Sequence, residues 1–329
     1  MTPLTDTLSF GPGLDIAARS RASISALQVP ENQDNYVLID AHGRAVCLRD
    51  QHEHCVQIAG WPAGHVRLAV LDGMGGHGQG RQAAEAVASG LLAIPACATQ
   101  EQLDTQLDAL HHQLQAHFRS PGDHDDFRRP GTTLTLLELP PGQAPLLYHV
   151  GDSRLYEVTP QAALPLTVDH VPATSYALHG LLGAQEWWQQ VHGEHRAQIA
   201  QAFILGNAFT QPHLLDDQLY PLGAANLPPF LRHLGDRRAL TVRPGALYLL
   251  ATDGFWSCAR PQDWVARWPT LMGAGSAATR LARLFDDYGR NPPPQLHIDN
   301  LTAIALRFAA PGGNLDETAL PTAPPPGAG

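Results

Sequence analysis

Residues 66–77 read Val66-Arg-Leu-Ala-Val-Leu71-Asp72-Gly73-Met-Gly-Gly-His77. A short apolar run closed by an acid and a glycine loop reads as a buried strand that stops at a tight turn. The glycine after Asp72 lets the backbone turn sharply and present its own carbonyl. The same grammar recurs along the chain. Leu247–Thr252 runs into Asp253-Gly254, and Leu147-Tyr-His-Val-Gly151 runs into Asp152. Asp299 and Asn300 stand directly before Leu301–Leu306, and Asp34 just before Tyr36–Ile39. Five carboxylates thus lie at the ends of five apolar segments. If those ends face one another, the carboxylates converge.

A single Asp–Gly at a strand end is usually only a turn; the recurrence carries the argument. Clustered carboxylates repel, and each is driven toward protonation unless cations occupy the cluster. Oxygen donors of this kind suit hard divalent ions, Mg²⁺ or Mn²⁺, rather than zinc. Two such ions a few Å apart acidify a bridging water and stabilise the oxygens of an in-line phosphoryl displacement.

Outward from these segments, Val66–Leu71, Thr132–Leu139, Leu146–Val150, Ala246–Ala251 and Leu301–Phe308 are expected strands, with Tyr36–Ile39 and Arg154–Val158 as weaker ones. Leucines at 103, 107, 110 and 114 and Phe118 recur at helical spacing. Further helices are expected over Gln82–Leu92, near Gln185–Leu205 and over Leu281–Tyr288. Single helices seldom separate the strands, so a parallel βαβ arrangement is excluded in favour of an α+β sandwich. Residues 1–25 read as a loose lead-in, 26–310 as one domain, and the Pro-rich 311–329 as a disordered tail.

Composition narrows the function. The chain has 329 residues, a formal charge of −10, and no Lys among its 21 basic residues. Such an acidic chain offers no broad footprint for nucleic acid or an anionic membrane. A nuclease shares the two-ion logic but would need a basic surface for its polyanion. No stretch reads as a signal peptide or a membrane span, so a cytoplasmic location is expected. Cys47, Cys55, Cys97 and Cys258 make no metal or disulfide pattern. His52-Glu53-His54 and His111-His112 lack the spacing of ligands on one helix face.

The ordered motifs Glu31-Asn-Gln-Asp-Asn35, Leu71-Asp-Gly-Met-Gly-Gly-His77, Gly131-Thr-Thr133, Val150-Gly-Asp-Ser-Arg154, Leu166-Thr-Val-Asp-His170, Leu250-Ala-Thr-Asp-Gly254 and Asp299-Asn-Leu-Thr302 resemble the metal-dependent Ser/Thr protein phosphatases of the PPM, or type 2C, family in their bacterial form. The resemblance spans residues 31–308. It implies a four-layer α/β/β/α sandwich, two antiparallel sheets flanked by helices, with a metal site at one end. By motif, Asp72 would bridge two Mn²⁺ or Mg²⁺ ions and the Gly73 carbonyl would ligate one. Asp253 and Asp299 would complete the other, and Asp34 would act on the second ion mainly through water. Asp152 and Asp253 would hold a third, weaker ion. The substrates implied are phosphorylated proteins, and the implied counterpart is a Ser/Thr kinase.

The same resemblance makes Ser153 structural rather than nucleophilic, and Thr132 and Thr133 core or strand-pairing residues. His77 is the candidate for giving a proton to the leaving alkoxide, since an imidazole titrates near neutral pH. Three departures stand out. Val29 occupies the place where the family commonly carries a phosphate-gripping Arg; Arg19, Arg21 or Arg44 could substitute in space. Gln33 replaces the usual acid of its motif. Residues 172–240, the variable flap, differ from the usual pattern, which bears on substrate choice. The loss of the Arg motivates a second reading, a phosphatase-fold binding or regulatory module with weak or no catalysis.

Overall fold

The computed structural model describes residues 4–22, 31–75, 79–119, 129–196, 198–209, 215–297 and 299–309. The chain runs through β1 (Leu14–Arg21), β2 (Asn35–Ile39), β3 (Arg44–Arg49), β4 (His52–Gln57), β5 (Val66–Leu71) and the two-residue β6 (Gly73–Met74). The helices α1 (Gln79–Ala93) and α2 (Gln100–Phe118) follow, then β7 (Gly131–Thr132), β8 (Leu134–Leu139), β9 (Leu146–Val150), β10 (Arg154–Val158) and β11 (Ala163–Pro165). The variable region contains α3 (Pro172–Leu178), α4 (Ala184–Trp188), a π-helical turn (Gln189–Gly193), β12 (Gln201–Ala202), β13 (Gly206–Asn207) and β14 (Arg237–Ala239). The last elements are β15 (Leu247–Ala251), α5 (Pro261–Val265), α6 (Trp268–Met272), α7 (Ala277–Arg290) and β16 (Leu301–Phe308).

Two antiparallel sheets result, one ordered β1-β16-β15-β10-β11 and the other β14-β9-β8-β5-β2-β3-β4. Side chains alternate across each strand. Along β2, Tyr36 and Leu38 join Leu68, Val70, Leu250 and Ile304 between the sheets. Val37 and Ile39 turn the other way, onto Val87 and Leu91 of α1 and Leu103 and Leu107 of α2. On the far side, Leu247, Leu249, Ala303 and Ala305 pack against Trp268, Leu281, Leu284 and Phe285. Strands buried on both faces need near-continuous apolar runs, which is what Val66–Leu71 and Leu247–Ala251 supply. The helices lie outside the two sheets, giving the expected four-layer α/β/β/α order. A fourth cluster, around Val168, Trp187, Phe209, Leu222 and Leu231, gives the variable region its own small core.

Two expectations are corrected. The lead-in assigned to residues 1–25 contains an eight-residue strand, β1, paired along its whole length with β16. It escapes a hydrophobicity pattern because it is an edge strand with charges on its outer face. Leu14, Ile16 and Ala18 meet the inter-sheet core, whereas Arg19 and Arg21 lie over the Phe285 ring of α7. Asp15, on the same face, accepts from the Ala277 N–H in the first turn of α7, 2.8 Å away, where a carboxylate meets the unpaired amides of a helix start. The helix expected near Gln185–Leu205 stops at Gly193, and residues 201–207 form the β12–β13 hairpin instead. The tail 311–329 lies outside the described residues. No helix among the described residues is long and apolar enough to cross a membrane.

Candidate metal centre

Register places the five carboxylates at one end of the sandwich. Asn35 pairs with Leu71, so Asp34, entering β2, and Asp72, leaving β5, share an end. Leu134 pairs with Val150, which puts Asp152 beside them. In the other sheet Arg154 pairs with Ala251 and Ala251 with Ala303, so Asp253 and Asp299 emerge at the matching end. The sheets are joined there by a direct bond: Thr252 Oγ1 donates to Asp34 Oδ2 at 2.8 Å.

Local structure fixes each loop. The Asp72 N–H donates to Thr133 Oγ1 at 3.0 Å, and the Thr133 N–H returns to the Asp72 carbonyl at 3.0 Å. Thr133 Oγ1 also lies 2.9 Å from Ser153 Oγ, tying the Asp72 turn to the Asp152 turn. Gly73 passes between the Gln33 carbonyl and the start of α1; a Cβ there would stand 2.3 Å from Gln33 O and 2.5 Å from Gly80 O. The φ of Gly151 is +123°, and a Cβ there would press on Thr133. Asp253 opens a 3₁₀ turn whose carbonyl accepts from Trp256 N at 2.8 Å and Ser257 N at 3.0 Å. Asn300 accepts from Gln33 N at 2.8 Å and donates to Glu31 O at 3.1 Å, binding the Asp34 loop to the Asp299 loop.

The electrostatics reflect this crowding. Burial raises Asp72 well above the ordinary carboxylate range, and Asp253, Asp34, Asp299 and Asp152 push it further. Asp34 is raised by burial and by Asp299, against donation from Thr252 and Thr302. Burial and then Asp253 and Asp169 raise Asp152, with Arg154 opposing. Asp299 is raised to about 7 by desolvation first and Asp253 second; it sits on the exposed rim, so water shares its charge. Among the described residues no three His, Cys, Asp or Glu side chains are grouped so as to hold a metal ion as they stand. Like charges without a counterion hold one another off. The donor set is all oxygen, and the turn at Gly73 is a cradle that a Cβ would fill, 2.3 Å from Gln33 O. Both features fit hard divalent ions that complete their shells with backbone oxygen and water.

The other candidates fall as follows. His77 and Val29 lie outside the described residues. Arg44 is at the far end of its strand, with Nε 3.1 Å from Cys55 Sγ, and Arg19 and Arg21 rest on Phe285. A cation that the sequence reading passed over, Arg81 in the first turn of α1, meets Glu31 at 2.8 Å, Glu85 at 2.9 Å and Asp50 at 3.1 Å. Arg154 and Asp169, from separate motifs, form a buried pair at 2.7 Å, and Arg154 Nη2 also donates to Val191 O of the variable region. Beside Asp152 and Asp253 opens a cavity of about 120 Å³, walled by Trp256, Tyr176, His195 and Arg196. Thr252, Thr133 and Asn300 stand inside the quoted motifs, but their partners are set by contacts between distant segments.

No protein-family model and no curated protein matches the chain. Solved structures do. The serine/threonine phosphatase PstP/Ppp of Mycobacterium tuberculosis is 21% identical with a TM-score of 0.57, covering 91% of this chain and 100% of that one. The PPM Ser-Thr phosphatase MsPP of Mycobacterium smegmatis is 19% identical, TM-score 0.57, covering 91% and 100%. The PstP catalytic domain in complex with two manganese ions is 20% identical, TM-score 0.56, covering 91% and 99%. At these identities the likeness establishes the fold.

Proposed function

We propose that the chain is a bacterial PPM-type protein phosphatase that hydrolyses phosphoserine and phosphothreonine with Mn²⁺ or Mg²⁺ and opposes a Ser/Thr kinase. The observation that carries this reading is the meeting of Asp34, Asp72, Asp152, Asp253 and Asp299 at one end of the sandwich, each within the field of others. Asp72 and the Gly73 carbonyl would hold one ion, and Asp72, Asp253 and Asp299 the other. Asp34 would act on the second ion mainly through water, and Asp152 with Asp253 would hold a weaker third. When bound, such ions supply Lewis acidity toward phosphoryl oxygens and acidify a water between them.

The chain's own groups do the rest. Ser153 is fully buried and bonded to Thr133, so it anchors the turn and is no nucleophile. Thr133 orients the Asp72 turn through two backbone bonds. Arg154 fastens the variable region beside Asp152, which sets the walls a peptide would meet. His77 would give the proton to the leaving alkoxide. Manganese in the PstP catalytic domain supports the choice of metal.

Hydrolysis of an aryl phosphate and a phosphothreonine peptide with Mn²⁺ tests the reading. Asp72→Asn and Asp253→Asn should abolish turnover, and a chelator should silence the wild type. Wild-type turnover no greater than that of the variants with Mn²⁺ or Mg²⁺ refutes it. Arg19 and Arg21 packed over Phe285 and Arg44 bonded to Cys55 favour the second reading, a binding module; tight phosphoprotein binding without phosphate release would select it.

A further inference from the structure

The five carboxylates are held differently, and Asp34, which enters β2 of one sheet, is gripped by hydroxyls of the other. It is 3% exposed. Its Oδ2 accepts from Thr252 Oγ1, and the nearby Thr302 hydroxyl favours its charged form. The sense of each bond follows from which groups can only donate. The Thr302 N–H donates to Thr252 Oγ1 at 3.1 Å, leaving that hydroxyl's hydrogen for Asp34 at 2.8 Å rather than for the Thr302 carbonyl at 3.4 Å. Asn32 Nδ2, also a donor only, meets Ser20 Oγ at 2.8 Å. Ser20 Oγ lies 2.7 Å from Thr302 Oγ1, its register partner across β1 and β16. Thr302 N–H to Thr252 Oγ1 to Asp34 Oδ2 is therefore a directed chain, and the Asn32, Ser20 and Thr302 side-chain contacts run beside it.

We propose that Ser20, Thr252 and Thr302 are positioning residues for Asp34: their linked hydroxyls fix the rotamer in which this carboxylate faces the divalent-cation site, and make β1 part of the site. The proposal rests on the metal-dependent reading above. Carboxylates that hold metals depend on such outer partners, whose loss typically costs roughly ten- to a hundredfold in metal affinity. Hydroxyls that merely staple the sheets together would instead lower thermal stability and leave metal affinity untouched.

Mn²⁺ binding to the full chain, followed by the paramagnetic resonance of free Mn²⁺, separates the cases. Thr252→Val should weaken binding by roughly tenfold or more, and Thr252→Ser should restore it to within about threefold. Ser20→Ala, one hydroxyl further away, should weaken it by about threefold to tenfold. Melting of the chelated proteins reports stability separately. Unchanged Mn²⁺ affinity in the Val and Ala variants, whatever their melting temperatures, overturns the positioning role and leaves the metal-dependent reading standing. If Thr252→Val fails to fold, unchanged affinity in Ser20→Ala overturns it alone. A wild-type chain that binds no Mn²⁺ overturns both.

Discussion

Gly73→Ala tests whether the candidate site depends on close backbone approach. The φ of Gly73 is not in the left-handed region, so alanine could adopt the conformation and its cost there is steric. Its Cβ would stand 2.3 Å from Gln33 O and 2.5 Å from Gly80 O, where a carbon and a carbonyl oxygen ordinarily keep about 3.3 Å. The shortfall is about 1 Å on opposite sides. Neither wall recedes freely: Gln33 N is bonded to Asn300, and Gly80 belongs to the first turn of α1. The Asp72–Gly73 turn must therefore shift by about 1 Å, at an overpacking cost of about 1–3 kcal/mol. A displacement of that size near reacting groups costs on the order of a hundredfold in rate. Expected are a melting temperature lowered by a few degrees, weaker Mn²⁺ binding, and kcat/KM for aryl phosphate down by about two orders of magnitude. Gly223→Ala is the control, because its Cβ would meet nothing within 4 Å. Gly80→Ala invades the same gap from the other side, its Cβ 2.7 Å from Gly73 C, so the double variant should lose less than the sum of the two. A Gly73→Ala protein that melts and binds Mn²⁺ like Gly223→Ala refutes the reasoning.

Two further outcomes follow from buried charge away from the site. Glu138 accepts from His65 Nε2 at 2.7 Å, Arg67 Nε at 2.6 Å, Arg67 Nη2 at 2.9 Å and Cys97 N at 2.9 Å. Burial alone would raise it, but Arg67 and the other donors hold it below the ordinary range. Glu138→Ala strands the buried Arg67 and should cost about 3–5 kcal/mol in urea unfolding; the wild-type contribution, present above the unfolded carboxylate's pKa, should fade as pH falls through the lower folded value. Asp236 is pushed up to about 7 by burial, so its contribution is present in acid and lost as pH rises toward 7. His170 Nδ1 accepts from Gly151 N and Gln201 Nε2, which leaves Nε2 protonated 3.4 Å from Asp236 and softens the penalty. Asp236→Asn should gain on the wild type, on the order of 1 kcal/mol, between pH 5 and 8; a pH-independent difference would count against this assignment.

Much of the frame was legible. The strands Val66–Leu71, Leu146–Val150, Arg154–Val158 and Leu301–Phe308 have the bounds the sequence suggests, because each is an apolar run between turn-forming residues. β1 and β4 are less legible: Asp15, Arg19, His52 and His54 give these edge strands a polar face that resembles a loop. The stretch 201–207 turns back as a hairpin, although its composition suits a helix, because Gly206 takes a positive φ of +98° against the Asp216 carbonyl. For the site, the acids and their turn glycines could be named from order alone. Their supports could not. Thr252 and Thr302 look like ordinary strand residues, and Ser20 sits in what reads as a lead-in.

The division has a physical basis. Sequence by itself determined where strands end and which side chains stand at those ends, since apolar runs and turn residues act over a few positions. Only the tertiary structure decided which ends meet. Asp34 and Thr252 are 218 residues apart in the chain and sit on different sheets, so only the packing of one sheet on the other makes them partners. Coulomb repulsion and hydrogen-bond direction depend on distance and angle in space. The crowding of five carboxylates and the hydroxyl grip on Asp34 therefore exist only once both sheets are assembled.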